Sequence, residues 1–335
     1  MATYKGINGF AVQSLATDPS PLDQGQVWYN NTSYAFKLAA ATTTGTWAAG
    51  GNLPSNRDEM GSAGTNTATL GFLGQDGPGF VTSNATLSYN GTSWSTLPAT
   101  LNTTRRFSGS CGTQTSALAY GGYTYPPVVY QTASESYNGT SWTNTPSLNT
   151  ARAGGASAGA SNTSALYTAG DSPQIASTES YNGSSWTTLP ASLPASKSNL
   201  MGFGIQTSAI AAGGWTGPTD LTSSASFNGS TWTSTPNLNS ARGQGGSAGT
   251  SNTSGVIFDG RLSAPGASVS STEIWNGTSY TSNPTSLSTA RYQLAGAGTQ
   301  TAALGFGGEP AGTATNKTES WTGPGVATTK TITTS

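Results

Sequence analysis

Apolar residues along this chain come in short alternating runs, not in the stripes of amphipathic helices. The stretch from Leu148 to Pro190 shows the pattern. It opens with SLNTAR, continues as AGGASAGASN with small apolar and polar residues in alternation, and then reads TSALYTAG. A polar DSPQIAS follows, and TESYNGSSWTTLP closes the stretch. Alternation with a period of two sends successive side chains to opposite faces of a strand. The runs predict four short strands, at residues 154–160, 164–169, 177–181 and 185–189. Asn182-Gly183 stands between the last two. A type I′ turn needs positive φ at both central positions, which Asn and Gly adopt at little cost, so a tight hairpin is expected there. With 45 glycines and few helix formers, no amphipathic helix is expected.

The same order recurs along most of the chain. YNGTSW begins at Tyr89 and Tyr137, YNGSSW at Tyr181, FNGSTW at Phe227 and WNGTSY at Trp275, at intervals of 44 to 48 residues. Trp321-Thr322-Gly323 is a worn copy. A leucine stands four residues before a basic residue each time: Leu53/Arg57, Leu101/Arg105, Leu148/Arg152, Leu193/Lys197, Leu238/Arg242 and Leu287/Arg291. The second strand ends in glycine, at Gly74, Gly121-Gly122, Gly170, Gly213-Gly214, Gly260 and Gly307-Gly308. Two residues before the third-strand aromatic stands Glu135, Glu179, Glu273 or Glu319, replaced by Leu87 and Ala225 in the other two units. A period of this length means one supersecondary unit repeated. Four short antiparallel strands per unit match one blade of an all-β propeller.

Six closing strands carry an aromatic: Trp47, Trp94, Trp142, Trp186, Trp232 and Tyr280. The last unit, from Arg291 to Trp321, lacks one, whereas TTGTWAAG near the N terminus has one with no blade before it. The economical arrangement has six blades, at about 52–98, 99–146, 147–190, 191–236, 237–284 and 285–325, with strand 43–50 completing the last. Such closure removes the open edges of a linear array. A competing closer is VATTKTIT at 326–333, and a partial seventh blade from 25–50 is the alternative count. The expected domains are a non-repeating segment, 1–41, and a propeller, 42–335.

The glycine pair after the second strand, the loop behind it and the spaced aromatic and tryptophan together resemble the kelch repeat, over about residues 42–325. The resemblance implies a propeller of six or seven blades. One kelch-type enzyme group, the copper radical oxidases resembling galactose oxidase, requires histidine ligands and a crosslinked cysteine. This chain has no histidine and one cysteine, so that activity does not carry over. The absence of histidine also removes His-assisted nucleophiles and the usual zinc sites. Asp58-Glu59, Asp76, Asp171, Asp220 and Asp259 form no recognisable catalytic motif. No catalytic residue, metal site, cofactor or enzymatic activity is therefore expected. Cys111 sits in a small-residue strand (SGSCGTQTS) and reads as a buried small side chain.

Charged residues make up 7% of the chain and the net charge is −1, which gives no attraction for nucleic acid. Leu, Ile, Val and Phe together reach only about 13%, a composition that approaches disorder. Nine Trp, thirteen Tyr and the near-zero net charge point instead to cores of aromatics and small residues. Each repeated Trp would bury about 150–250 Å². The basic residues Arg57, Arg105, Arg152, Lys197, Arg242 and Arg291 allow two readings. They could ring a channel mouth as an anion site, or pair with carboxylates and carbonyls between neighbouring blades. Their regular repetition favours the structural reading. What differs between units is the loop from strand two to strand three, near 75–82, 123–132, 171–175, 215–221, 261–268 and 309–313. Equivalent loops of a propeller emerge on one face. Tyr123, Tyr125, Tyr130 and Trp215, with Asp171 and Arg261, are the candidate binding residues there, suited to sugar or protein contacts.

Residues 1–41 do not repeat. DPSP followed by GQVWYNNTSYAFK reads as a loop and a hairpin. It resembles the short "GQ-x-WYN…FK" leaders near the start of bacteriophage fibre and other virion proteins. That resemblance implies a virion component of a tailed phage, on tail or head, assembled in the host cytoplasm. Residues 1–41 would then dock to other virion proteins, and the propeller would meet a bacterial surface polysaccharide or protein, or decorate the particle. MATYKGINGFAVQ has no long apolar run, so neither a signal peptide nor membrane insertion is expected. The Asn-Gly-Thr/Ser triplets read as turns. The alternatives are a cytoplasmic kelch interaction module and a lectin.

Overall fold

The computed structural model describes residues 12–20, 22, 25–41, 44–77, 81–171, 173–262, 266–310, 312–325 and 327–332. Strands are the only regular elements among them, and two compact units form: Met1–Gly45 with Thr322–Ser335, and Thr46–Trp321.

The larger unit contains six four-stranded sheets among the described residues. In the third, Ala156–Ser161, Ser164–Thr168, Ser177–Tyr181 and Trp186–Ser192 follow one another in sheet order. The first and fourth are shifted slightly from the alternating runs, and the turn between the last two is wider than expected. Tyr181 pairs with Trp186 across four residues, and Asn182 N–H donates to the Ser185 carbonyl. Only Gly183 takes positive φ, at 91°. Asn182 instead accepts the Ser184 and Ser185 N–H groups on Oδ1, at 3.0 and 2.9 Å. An Asx turn of this kind replaces the type I′ geometry, because the side-chain oxygen satisfies donors a tighter turn would pair through the backbone.

The last sheet runs Ala295–Gly298, Ala302–Phe306, Thr318–Thr322 and then Thr46–Ala49, a strand from the far end of the chain. The rival closer lies elsewhere: Ala327–Thr331 pairs with Ala35–Ala41 in the smaller unit. The repeat unit thus ends at Trp321 and not at residue 335. Of the segment read as a partial extra blade, Val27–Asn30 and Ala35–Ala41 join that separate sheet too.

The innermost strands lie each against the next, from Gly61–Gly64 through Gly109–Thr113, Ala156–Ser161, Met201–Ile205 and Gly246–Ser251 to Ala295–Gly298, which returns to the first. Side chains there must be small. A Cβ on Gly109 would stand 2.2 Å from the Tyr120 ring of the neighbouring strand. Aromatic cores fill the spaces between blades, as where Tyr120 and Leu118 meet Tyr167, Tyr181 and Trp186.

A hydrogen-bond circuit ties these cores together. The closing-strand aromatic of each blade reaches the hydroxyl that stands three residues before the third-strand aromatic of the preceding blade. Trp142 Nε1 donates to Thr86 Oγ1 (2.8 Å), Trp186 to Ser134 (3.1 Å) and Trp232 to Thr178 (2.9 Å). The Tyr280 hydroxyl meets Ser224 (2.9 Å) and Trp47 donates to Thr272 (3.0 Å). Trp94 donates to Thr318 at 2.9 Å, which carries the series across the junction of the two chain ends. An indole buries a large apolar body and keeps one donor to place, so it serves core and circuit at once.

In the smaller unit, Gln13–Leu15 runs parallel to Val27–Asn30, and Val27–Asn30, Ala35–Ala41 and Ala327–Thr331 are antiparallel neighbours. Asp18 Oδ1 accepts from Trp28 Nε1 (3.0 Å) and Asn30 Nδ2 (2.8 Å). The bond from Asn30 is the main influence holding the Asp18 carboxyl below its ordinary pKa. Residues 1–11, 21, 23 and 24 of the proposed docking segment lie outside the described residues.

Candidate binding face

The repeated basic residues are spent inside the fold. Arg105 Nη1 meets Glu135 Oε1 at 2.7 Å and Arg291 Nη1 meets Glu319 Oε1 at 2.9 Å. Arg152 pairs with Glu179 and Arg242 with Glu273 in the same way. The carboxylates also accept backbone N–H groups of the loop before the arginine, such as Asn149 (2.7 Å) and Thr150 (3.2 Å) on Glu179. Where glutamate is missing the partner changes. Arg57 forks onto Asp76 at 2.7 and 2.9 Å, and Lys197 donates to Ser223 O and Oγ at 3.3 and 3.2 Å. Burial pushes the Lys197 ammonium down to about 8.

Each of these side chains bonds within its own repeat, not between neighbouring blades as expected. The link between blades is made by the carbonyl of the same residue. Gly74, Gly122, Gly170, Gly214, Gly260 and Gly308 donate their N–H to the carbonyls of Arg105, Arg152, Lys197, Arg242, Arg291 and Arg57, at 2.8–3.2 Å. The glycine is required: at Gly122 φ is 90°, and a Cβ would lie 2.7 Å from the Arg106 carbonyl. The anion-ring reading fails with this, because all six basic side chains are buried away from the mouth.

Two residues beyond each basic residue, a second ring forms. Glu59, Phe107, Gly154, Asn199, Gln244 and Gln293 all take the left-handed conformation, with φ of 52–62°. Their main chains join hand to hand. Glu59 N–H donates to Gln293 O (2.9 Å), Gln293 to Gln244 O (2.7 Å) and Gln244 to Asn199 O (2.9 Å). Leu200 donates to Gly154 O (3.3 Å), Gly154 to Phe107 O (3.2 Å) and Phe107 to Glu59 O (3.3 Å). The ring encloses a cavity of about 110 Å³ lined by Glu59, Phe107, Ser108, Asn199, Gln244 and Gln293. It adjoins a channel of about 410 Å³ between the inner strands.

The variable loops rise beside this mouth. The residue between the basic position and the ring is bridged to the start of the loop: Asp58 with Gln75 in the first blade, then Arg106 with Tyr123, Ala153 with Asp171, Ser198 with Trp215, Gly243 with Arg261 and Tyr292 with Glu309. Parts of these loops, residues 78–80, 172, 263–265 and 311, lie outside the described residues. Four candidates come together. Tyr123 stacks on Phe107 (5.9 Å between centroids) and lies beside Tyr130 (5.8 Å). The Arg106 guanidinium sits over Tyr123 and Tyr125, at 5.0 and 4.6 Å, and the Tyr130 hydroxyl donates to Asp171 Oδ2 at 3.3 Å. Trp215 and Arg261 stand apart from this group. Arg261 covers the Tyr292 ring at 4.7 Å, and Tyr292 donates to Glu309 at 2.7 Å.

Sequence reasoning did not single out Arg106, Phe107, Asn199, Gln244, Tyr292 or Gln293. A usable signal existed: the two-residue pair that follows the nearly invariant basic position is different in every unit. Electrostatics mark the same place. Burial raises the Glu59 carboxyl to about 8 against the pull of Arg106, whose Nε is 3.2 Å away. Burial and then Glu309 raise Asp58 to about 7. Burial thus disfavours the charged form of both carboxyls at this mouth. Among the described residues no group of three His, Cys, Asp or Glu could hold a metal ion.

The six sheets closed on one another define the chain as a β-propeller. Comparison with solved structures agrees. The chain is similar to the propeller-like protein described as "Structure of YjhT", with a TM-score of 0.65 and 14% identity, covering 81% of this chain and 96% of that one. At that identity the likeness concerns the fold alone. No protein-family model and no curated protein matches the chain.

Proposed function

We propose that this chain is a non-enzymatic structural protein of a tailed-bacteriophage virion, a fibre or decoration component whose kelch-like propeller offers one rigid face for contact with the host surface or with other particle proteins. One observation carries the binding part of this reading. The repeated charges are buried in the framework, while the residues that differ between blades converge on one mouth and its loops. Function in a repeat array resides in what varies on a shared scaffold. The virion part rests on the GQVWYNNTSYAFK leader, with its hairpin Val27–Asn30 and Ala35–Ala41. In this reading the segment 1–41 docks to a virion partner, the chain assembles in the host cytoplasm, and neither nucleic acid nor membrane is a partner.

Mass spectrometry of purified particles tests the assignment: the chain should be present at a fixed copy number, and its absence would refute a virion role. Deleting residues 1–41 should abolish incorporation, and particles that still take up the truncated chain would refute the docking role.

A further inference from the structure

Among the described residues, large hydrophobic side chains are exposed in two places. Val81, Tyr125, Val128 and Val129 lie on neighbouring propeller loops, which meet where Thr82 Oγ1 donates to the Tyr125 carbonyl at 3.3 Å. Val12, Val27, Tyr34, Phe36 and Ile332 belong to the smaller unit. In its four-stranded sheet the exposure alternates along Val27–Asn30: Val27 is open, Trp28 fully buried, Tyr29 half-buried and Asn30 buried. Register fixes which side chains share the open face. Tyr29 stands opposite Phe36 and Val27 opposite Leu38, and Ile332 N–H donates to the Phe36 carbonyl at 2.9 Å. The Tyr29 and Phe36 rings meet with centroids 5.1 Å apart. Side chains from both ends of the chain thus form one continuous apolar patch.

The opposite face of the sheet is filled. Trp28 and Ala39 are buried there, and Asp18 accepts from Trp28 and Asn30. An apolar sheet face of this kind is stable when a second layer covers it. Pairing along the edges is discouraged. One edge strand, Gln13–Leu15, has three residues, and the other, Ala327–Thr331, carries Lys330. Charge then narrows the occupant. Of the described charged residues in this unit, Asp18 and Lys37 serve the filled face, where Lys37 Nζ donates to Thr331 Oγ1 at 2.9 Å. Lys330, opposite Leu38, stands on the rim of the open face. A foreign partner is selected largely by a pattern of charges, and this face offers one ammonium at its border. An identical flat apolar face matches it without any such pattern.

We infer that two copies of this chain pack these sheets face to face, as an eight-stranded sandwich with Tyr29 and Phe36 at its centre. Sheets packed in this way lie about 10 Å apart. A twofold axis along the strands sets Ala327–Thr331 of one copy over Gln13–Leu15 of the other. The two Lys330 ammonium groups then stand at opposite rims, about 14 Å apart across three strand spacings. Four strands of about five residues make a face of about 19 by 17 Å, and two such faces bury on the order of 1,000 Å². That area is at the lower limit of specific interfaces, so the dimer is weak, with a Kd on the order of 10–100 µM. This pairing goes beyond the virion reading and does not rest on it.

Sedimentation velocity of the full chain tests the pairing. The parent should pass from monomer to dimer between about 2 and 200 µM. Phe36→Ser and Ile332→Ser should each weaken the dimer about tenfold or more. Both side chains are nearly half exposed, at 49% and 42%, so neither variant should lower the melting temperature of the monomer. Val81→Ser, on the other exposed patch, should leave the dimer intact. A parent still monomeric at about 200 µM, a dimer unchanged in both sheet variants, or a dimer dissolved by Val81→Ser would each overturn the pairing. So would a monomeric parent whose entry into particles is abolished by Phe36→Ser, since the face would then belong to a different virion protein. Particle mass spectrometry keeps the two readings apart: a dimer absent from particles refutes the virion role and leaves the pairing standing.

Discussion

Replacing Glu179 by alanine offers the sharpest test of how the blades are held. Glu179 and Arg152 are both fully buried, and the carboxylate also accepts two backbone N–H groups. In the variant, Arg152 keeps its bonds to the Ser177 and Ala169 carbonyls, at 2.8 and 3.3 Å, but loses its counter-charge. Breaking a buried pair from one side costs about 3–5 kcal/mol, mostly the penalty of the charge left behind. For a cooperative unit of this size that lowers the melting temperature by roughly 10 °C. The first blade supplies an internal control. Its Arg57–Asp76 pair is bidentate, but the Asp76 side chain is 37% exposed. Water can replace that carboxylate, so Asp76→Ala should cost only about 1 kcal/mol. Adding Arg152→Leu to Glu179→Ala should recover part of the loss, since no charge then remains buried. Urea and thermal unfolding followed by tryptophan fluorescence would measure all four proteins. Equal losses for Glu179→Ala and Asp76→Ala would refute the argument from burial.

The indole circuit predicts that Trp142→Phe costs about 1–2 kcal/mol beyond any change in ring area, because Thr86 Oγ1 loses a buried donor. Thr86→Val should then add almost nothing in the Trp142→Phe background, and fully additive urea midpoints would disprove the coupling. The buried carboxyls predict an inverted pH profile. Burial raises Asp58 to about 7, and Glu59 and Asp259 to about 8. The folded chain therefore holds protons that the unfolded chain releases near pH 4, and stability falls as pH rises from about 4 to 8. Lys197 has the opposite sign, its contribution being lost as pH falls from about 10.5 to 8, so stability passes through a minimum near pH 8. A melting temperature higher at pH 8 than at pH 5 would contradict this.

The strands were readable because alternation and the aromatic marks are local. Ser177–Tyr181 was visible in TESY with its neighbours, and the unmatched tryptophan of TTGTWAAG pointed to Thr46–Ala49 beside Thr318–Thr322. Partner choice was harder to see. Nothing in VATTKTIT tells whether Ala327–Thr331 will seek a propeller edge or Ala35–Ala41, since both offer an open strand of similar composition. The Asn-Gly motif marked the turn but not its width, which depends on the Asn182 side chain accepting two donors at once. Tyr123, Tyr125, Tyr130 and Asp171 were found through loop variation, and the structure groups them. The mouth ring was missed because Glu, Phe, Gly, Asn, Gln and Gln follow no single residue type.

That silence has a physical cause, and it separates framework from site in this fold. The indole circuit is built from side chains: one donor must meet one hydroxyl six times over, so Trp, Tyr, Thr and Ser recur in register. The arginine clamp likewise demands a fork, a carboxylate and a glycine, and substitutions there come in matched sets such as Arg57 with Asp76 or Lys197 with Ser223. The mouth ring is built from backbone alone, Glu59 N–H to Gln293 O and so around the circle. A backbone bond imposes a conformation but no side-chain type. At those six positions the fold demands only a left-handed turn, which leaves the side chain free to vary. A propeller that joins its blades at the mouth with main-chain bonds can therefore vary those side chains without changing its framework.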